Sequence, residues 1–238
     1  MKRVLRVYLQ NIFKQKTYYI CAGISLLIGV VLPFVLSLFI KSEETMTFGS
    51  RLVSSFKLDI VIIIFITLFT CSDFTDGTSK NFIARGYTRR QLLYGKYFAC
   101  LIAVGVFFVA CALLTFVFFA KDGISFGKSD FLMIIAALVT ATASIGLYVI
   151  MANTAEKVST GMMINILLYS FAGLLFTGIE SLLKLDFSLS NYWVSGLNGL
   201  MPENAGFTDL LLVVGVALVY LVLLFELSNF IIKKKEVK

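Results

Sequence analysis

Apolar residues run almost unbroken through four windows, 18–40, 98–120, 131–152 and 210–232. Each approaches the roughly 20 residues of helix that a hydrocarbon core about 30 Å thick requires. Two further windows are less regular. The stretch 58–71 is short unless Lys57 and Asp59 snorkel at its outer end, and 158–179 is interrupted by Gly161, Asn165, Gly173 and Gly178. The runs are continuous and rich in Leu, Ile, Val and Phe instead of alternating, which predicts helices and not barrel strands. The pattern therefore predicts an all-α polytopic membrane protein with six transmembrane helices in a single transmembrane domain, residues 1–238.

Residues 1–16, ahead of the first window, follow a different pattern. Val4, Leu5, Tyr8, Leu9, Ile12 and Phe13 fall at helical spacing, while Lys2, Arg6, Gln10 and Lys14 take the other face. This predicts an amphipathic interfacial helix, readable either as a simple topology signal or as a helix that also touches a cytoplasmic partner. The first apolar window is too long for the core of a signal peptide and no A-x-A-like site ends it, so it is expected to remain as an anchor. Pro33 is expected to kink that span, and Ala137, Ala141 and Gly146 to let the fourth pack closely. The segment 180–209 carries Leu182, Leu183, Leu185, Phe187, Tyr192, Trp193 and Leu197, too apolar for a free loop. It is expected to be an external re-entrant or surface segment with its Trp and Tyr at the interface. Packing on the bundle and gating a substrate are its two readings.

Composition agrees with this picture and narrows the chemistry. Of 238 residues, 59% are hydrophobic and 15% charged, and the mean hydropathy is +0.92, values foreign to a soluble domain. With six spans, 15 of the 21 basic residues fall on the side holding residues 2–16, the 72–96 loop, Lys157 and the 233–238 tail. That side is then cytoplasmic, together with both termini. The net charge of +7 reflects this topology, and nucleic acid is not an expected partner. The chain has no His, which removes Ser-His-Asp, Cys-His and HExxH chemistry. Cys21, Cys71, Cys100 and Cys111 lack C-x-x-C spacing and are expected to pack as small apolar residues, with no metal bound. Gly127-Lys128-Ser129 imitates the end of a phosphate-binding loop, yet Asp122 stands where that loop needs its first Gly. The chain thus lacks its own ATP-binding motif and is not expected to be an enzyme. Glu226, the acid inside the last span, reads as a carboxylate at headgroup level, with a proton relay as its other reading.

The loop 72–96 holds seven charges in 25 residues and more local order than a solvated linker. Asp76-Gly77 marks a turn, Thr78 is placed to cap a short helix from 79 to 85, and Gly86 suits its left-handed stop. Thr88-Arg89-Arg90-Gln91 matches a capping box that opens the next span. Phe82 and Ile83, flanked by Lys80 and Arg85, are apolar residues expected to face the cytoplasm. Docking into a groove on another protein and lying on the membrane surface are the two readings of that helix.

The run Asp73-x-x-x-Gly77-Thr78-x-Lys80-Asn81-x-x-x-x-Gly86-x-x-Arg89-x-x-Leu92-x-x-x-Lys96 resembles the loop between spans two and three of ABC-2 type permeases, the membrane subunits of ABC exporters. Asp73 departs from their more usual Glu, keeping the charge and shortening the reach. The resemblance implies that residues 78–85 form a coupling helix docked on a separate ATPase subunit. Asp73, Gly77, Thr78, Lys80, Phe82, Ile83, Arg85, Gly86 and Arg89 would be the coupling residues, and the amino-terminal helix a second contact. It further implies two ATPase copies that bind ATP and Mg, and a second permease as homodimer or sibling heterodimer. The substrate-binding residues are not indicated. Small permeases of this kind resemble those of bacterial plasma membranes that export amphipathic or antimicrobial peptides, including lantibiotic immunity systems. The competing classes are a secondary transporter, for which Asn165 is an uncharged candidate site residue, and a non-transporting membrane scaffold or sensor.

Overall fold

The computed structural model describes residues 2–39, 48–55, 60–75, 77–119, 127–155, 157–184, 187–194, 196–201 and 206–236. Lys41, Lys57, Asp59, Asp76, Lys121, Asp122 and Leu185 lie outside the described residues. Every regular element among those described is helical: α1 (Lys2–Lys14), α2 (Lys16–Leu26), α3 (Leu32–Phe39), α4 (Phe48–Ser55), α5 (Ile60–Thr75), α6 (Thr78–Ala84), α7 (Arg89–Phe119), α8 (Lys128–Ala155), α9 (Val158–Leu183) and α10 (Phe207–Glu236). Between α2 and α3 a π-helical turn, Leu27–Val31, precedes Pro33. The proline cannot donate to Gly29 one turn back, and the wider turn is where the first span absorbs that loss.

Five helical stretches are long and apolar enough to cross a membrane: Lys16–Val35, Arg89–Phe118, Lys128–Ala155, Val158–Leu183 and Phe207–Phe230. There are six if Ile60–Asp73 and Thr78–Ala84, bent by 49° to one another, are taken together. The chain is an all-helical multi-span membrane protein. Helix α9 is continuous from Val158 to Leu183, so Gly161, Asn165, Gly173 and Gly178 do not interrupt it as their spacing suggested. The 16 residues of α5 span about 24 Å at 1.5 Å each, short of a full hydrocarbon core.

Helix α8 forms the centre. It packs against α4, α5, α7, α9 and α10, and 67% of its apolar window is buried against 6% for α9. Small side chains make this possible: Ala136, Ala137, Ala141, Ala143 and Gly146 are all buried, allowing several helices to approach one axis. The predicted segment 180–209 is narrower than its apolar residues suggested: Leu182 and Leu183 end α9, residues 207–209 open α10, and between them, among the described residues, two 3-10 turns, Leu189–Tyr192 and Leu197–Leu200, sit on α8, α9 and α10. Val194 and Leu197 are buried there, Glu180 accepts the Ser190 amide at 2.6 Å, and Tyr220 donates to the Tyr192 carbonyl at 2.9 Å. The segment packs on the bundle.

Helix α1 uses one stripe. Val4, Tyr8 and Ile12, four residues apart, are all but fully buried, and the helix packs chiefly on α7. Gly95 of α7 permits this approach, because a Cβ there would lie 2.8 Å from Val4 Cγ1 and 3.2 Å from the Tyr8 ring. Gly95→Val is therefore expected to unseat α1 and lower stability by about 1–3 kcal/mol, even though valine suits a helix better than glycine. Scanning fluorimetry in mild detergent reads the loss, and faster tryptic cleavage within α1 locates it.

Candidate functional site

Four elements meet where α5 ends. Asp73 lies in the last turns of α5, and the chain then turns through Gly77, whose φ of 69° is left-handed, directly into α6. Gly77 itself occupies the N-cap position, and Thr78 is the first helical residue with no side-chain cap hydrogen bond at this end. The sequence expectation that Thr78 caps this helix is thus corrected by one position: the left-handed glycine delivers the chain, and the threonine is already inside. Gly86, at φ 85°, follows α6 as expected. The capping box also forms, the Thr88 amide donating to Gln91 Oε1 at 3.1 Å and the Gln91 amide to Thr88 Oγ1 at 3.3 Å. It fixes the start of α7, which carries Lys96 in its second turn.

Asp73 Oδ2 is the focus. It accepts hydrogen bonds from Tyr8 OH of α1 at 2.8 Å and from Ser79 Oγ of α6 at 2.6 Å, and it pairs with Lys96 Nζ of α7 at 3.0 Å. Lys96 also donates to the Thr70 carbonyl at 3.2 Å and to Asn153 Oδ1 of α8 at 3.3 Å. Its three ammonium protons thus have three acceptors. Both charges are buried, with Lys96 1% and Asp73 6% exposed, and burial on this scale is tolerable only for a paired and hydrogen-bonded ion pair. The cluster joins α1, α5, α6, α7 and α8 through polar contacts that fail together if one element moves.

An aromatic layer covers it. Phe82 of α6 is 7% exposed and lies with its ring 5.8 Å from Tyr8 and 5.6 Å from Tyr87. The expectation that Phe82 faces the cytoplasm is therefore corrected: the apolar face of α6 folds back onto α1. Ile83, Lys80, Asn81, Ala84 and Arg85 point outward instead, and Arg89 is exposed at the start of α7. The predicted residues divide into an inner group around Asp73 and an outer surface of Lys80, Ile83, Arg85 and Arg89.

Residues 50–238 match the model of a family described as a protein of unknown function, DUF2705. The chain belongs to this family. No curated protein and no solved structure matches it. The DUF2705 match contains Asp73, Ser79, Lys96 and Asn153 and begins after α1, so the cluster is completed by Tyr8 from outside the matched region.

Tyr8, Ser79 and Asn153 are cluster members that the sequence does not single out, and Lys96 stands in it as a basic residue of the cytoplasmic loop and the last position of the run that resembles ABC-2 permeases. Signals for two of them exist. Tyr8 is the polar-tipped member of the Val4–Tyr8–Ile12 stripe, and Lys96 sits among Leu92, Leu93, Tyr97 and Cys100, where a charge requires a partner.

A second polar contact lies inside the bundle. Fully buried Asn165 of α9 donates to Thr67 Oγ1 at 2.8 Å and to the Tyr148 carbonyl at 3.1 Å, tying α9 to α5 and α8. Its Oδ1 has no hydrogen-bond partner among the described residues. Cys21, Cys71, Cys100 and Cys111 are all buried among the helices, in line with packing.

Burial and the adjacent Asp73 carboxylate push the Tyr8 phenol well above its ordinary value. Above about pH 10 the unfolded chain loses this proton and the folded chain keeps it, so stability falls as pH rises. Relative to Tyr8→Phe, the wild type is expected to lose up to about 1.4 kcal/mol more per pH unit there. Unfolding followed between about pH 9 and pH 11 checks this. Parallel pH profiles for the two proteins would contradict it.

Proposed function

We propose that this chain is the membrane-spanning permease subunit of an ABC exporter, forming the translocation path and coupling to a separate ATPase subunit. The observation that carries the reading is the buried Asp73 carboxylate, on which the short helix α6, the amphipathic helix α1 and the base of α7 converge. A short helix locked to two long ones by a buried ion pair suits transmission of a push from outside the membrane. A solvated surface loop has no need of such a core.

The outer face of α6, with Ile83 between Lys80 and Arg85, is the proposed docking surface. The ATPase subunit there binds ATP and Mg, and two such subunits would act on a pair of permeases, identical or sibling. Nucleotide-driven closure would rock the α5–α6–α7 assembly as one body between inward-open and outward-open arrangements. In this reading the chain has six spans, with α5 as the second, and α1, α6 and the end of α10 on the cytoplasmic side of a bacterial plasma membrane. The basic residues favour that orientation. The proposed substrates are amphipathic or antimicrobial peptides, for which the Phe-rich spans offer an apolar path.

The buried Asn165–Thr67 contact, with its unpartnered carbonyl oxygen, is the observation that favours a secondary transporter instead. It has no ionisable group in its hydrogen bonds, which weighs against ion coupling. The two readings separate on purification of the tagged chain in mild detergent. Recovery of an ATP-hydrolysing subunit is expected, and a stable chain that brings none under several mild conditions would move the reading to a secondary transporter or a scaffold.

A further inference from the structure

The face of α1 turned away from Tyr8 carries its own surface feature. A trough of about 460 Å³ is lined by Lys2, Leu5, Arg6, Leu9, Gln10, Phe13 and Lys14. These residues form two parallel rows at four-residue spacing, one polar (Lys2, Arg6, Gln10, Lys14) and one apolar (Leu5, Leu9, Phe13). The trough extends about 18 Å along the helix at 1.5 Å per residue. Helix α1 contains no acidic residue, and none of Lys2, Arg3, Arg6 and Lys14 forms a salt bridge among the described residues. Gln15 is extended and α2 begins at Lys16, so the trough lies one residue from the start of an apolar span.

We infer that this trough is a binding site for an acidic phospholipid. The acyl chain lies along Leu5, Leu9 and Phe13, and the anionic headgroup sits on the basic row, held by Arg6 or by Lys14 two turns further on. Charge complementarity selects this occupant: an amphiphile with one anionic end and one apolar body matches a basic row beside an apolar row, at the depth where headgroups meet chains. Arginine suits a phosphate in particular, because its planar fork donates two parallel hydrogen bonds. The opposite face of the same helix holds Tyr8 on Asp73, so occupancy of the trough supports the seating of α1 over the polar cluster. The inference stands on α1 alone and does not depend on an ATPase partner.

The test uses the full chain, purified without partners and exposed to equal amounts of phosphatidylglycerol and phosphatidylcholine, with retained lipid read by native mass spectrometry. The wild type is expected to retain phosphatidylglycerol preferentially. Arg6→Gln with Lys14→Gln should reduce that preference on the order of 30-fold, the effect of removing two basic side chains from an anionic surface. Lys233→Gln with Lys234→Gln removes the same charge elsewhere and should leave the preference intact. Circular dichroism confirms that each variant is folded, and Arg6→Lys with Lys14→Arg, which keeps the charge, should retain the preference. Equal retention of the two lipids by the wild type would overturn the assignment, as would a loss seen only in the 233/234 variant. Leu9→Cys in native membranes adds a second reading. Protection from a water-soluble thiol reagent that survives delipidation would place a protein over the trough and would also overturn the lipid assignment.

Discussion

Replacing Lys96 by Met is expected to destabilise the chain by about 3–5 kcal/mol, because it leaves the Asp73 carboxylate buried without its cation. Asp73→Asn should cost a similar amount for the opposite reason, leaving a buried ammonium without its carboxylate and facing neutral acceptors such as the Thr70 carbonyl and Asn153. The informative variant is the double one. With Asn at 73 and Met at 96 no charge remains in the cluster, and the Asn side-chain oxygen still accepts from Tyr8 and Ser79. Most of the stability should return, giving a coupling energy of several kcal/mol between the two sites. Thermal unfolding of the four proteins in one detergent measures it, and additive losses would show that the two charges do not depend on each other. On the coupling proposal the recovered double variant is stable and yet transports poorly, since the neutral cluster no longer resists separation of α6 from α7.

The second large effect separates two neighbours on α6. Phe82→Ala removes a ring packed on Tyr8 and Tyr87 and is expected to cost about 3 kcal/mol of stability. Ile83→Glu changes a side chain that is 42% exposed and should alter stability by less than about 0.5 kcal/mol. Partner binding should follow the reverse pattern. If Ile83 anchors the docking surface, Ile83→Glu lowers recovery of the ATPase about 30-fold or more, as expected for an anchor worth about 2 kcal/mol. Quantifying chain and partner together after purification keeps the two effects apart. An Ile83→Glu protein that is folded and still recovers its full complement of ATPase would remove α6 as the docking element.

These two residues also show what was legible in the sequence and why the rest was not. The spacing of apolar residues located five long helices, and local rules located Gly86 and the Thr88–Gln91 capping box, because each depends on residues only a few positions apart. Which side of α6 faces inward depends on α1, some 70 residues earlier, and periodicity over seven residues gives a stripe without saying what covers it. The same limit hid the Asp73–Lys96 pair. Both residues stand in the run that resembles ABC-2 permeases, yet nothing within that run says that they meet. Only the antiparallel approach of α5 and α7, with Tyr8 and Ser79 delivered from either side, makes a buried pair of them. In α9 the four interruptions were visible, yet helix propensity is a weak prior that packing inside a bundle overrides.

On the proposed coupling role, α6 touches an ATPase through the outer face that holds Ile83. The most direct measurement places a photo-crosslinking amino acid at position 83 in native membranes, irradiates, and identifies what is captured. A crosslink to a nucleotide-binding subunit is expected, lost when the reactive group is moved to the inward-facing position 82. Capture of lipid alone at position 83, with the chain intact and correctly inserted, would contradict it.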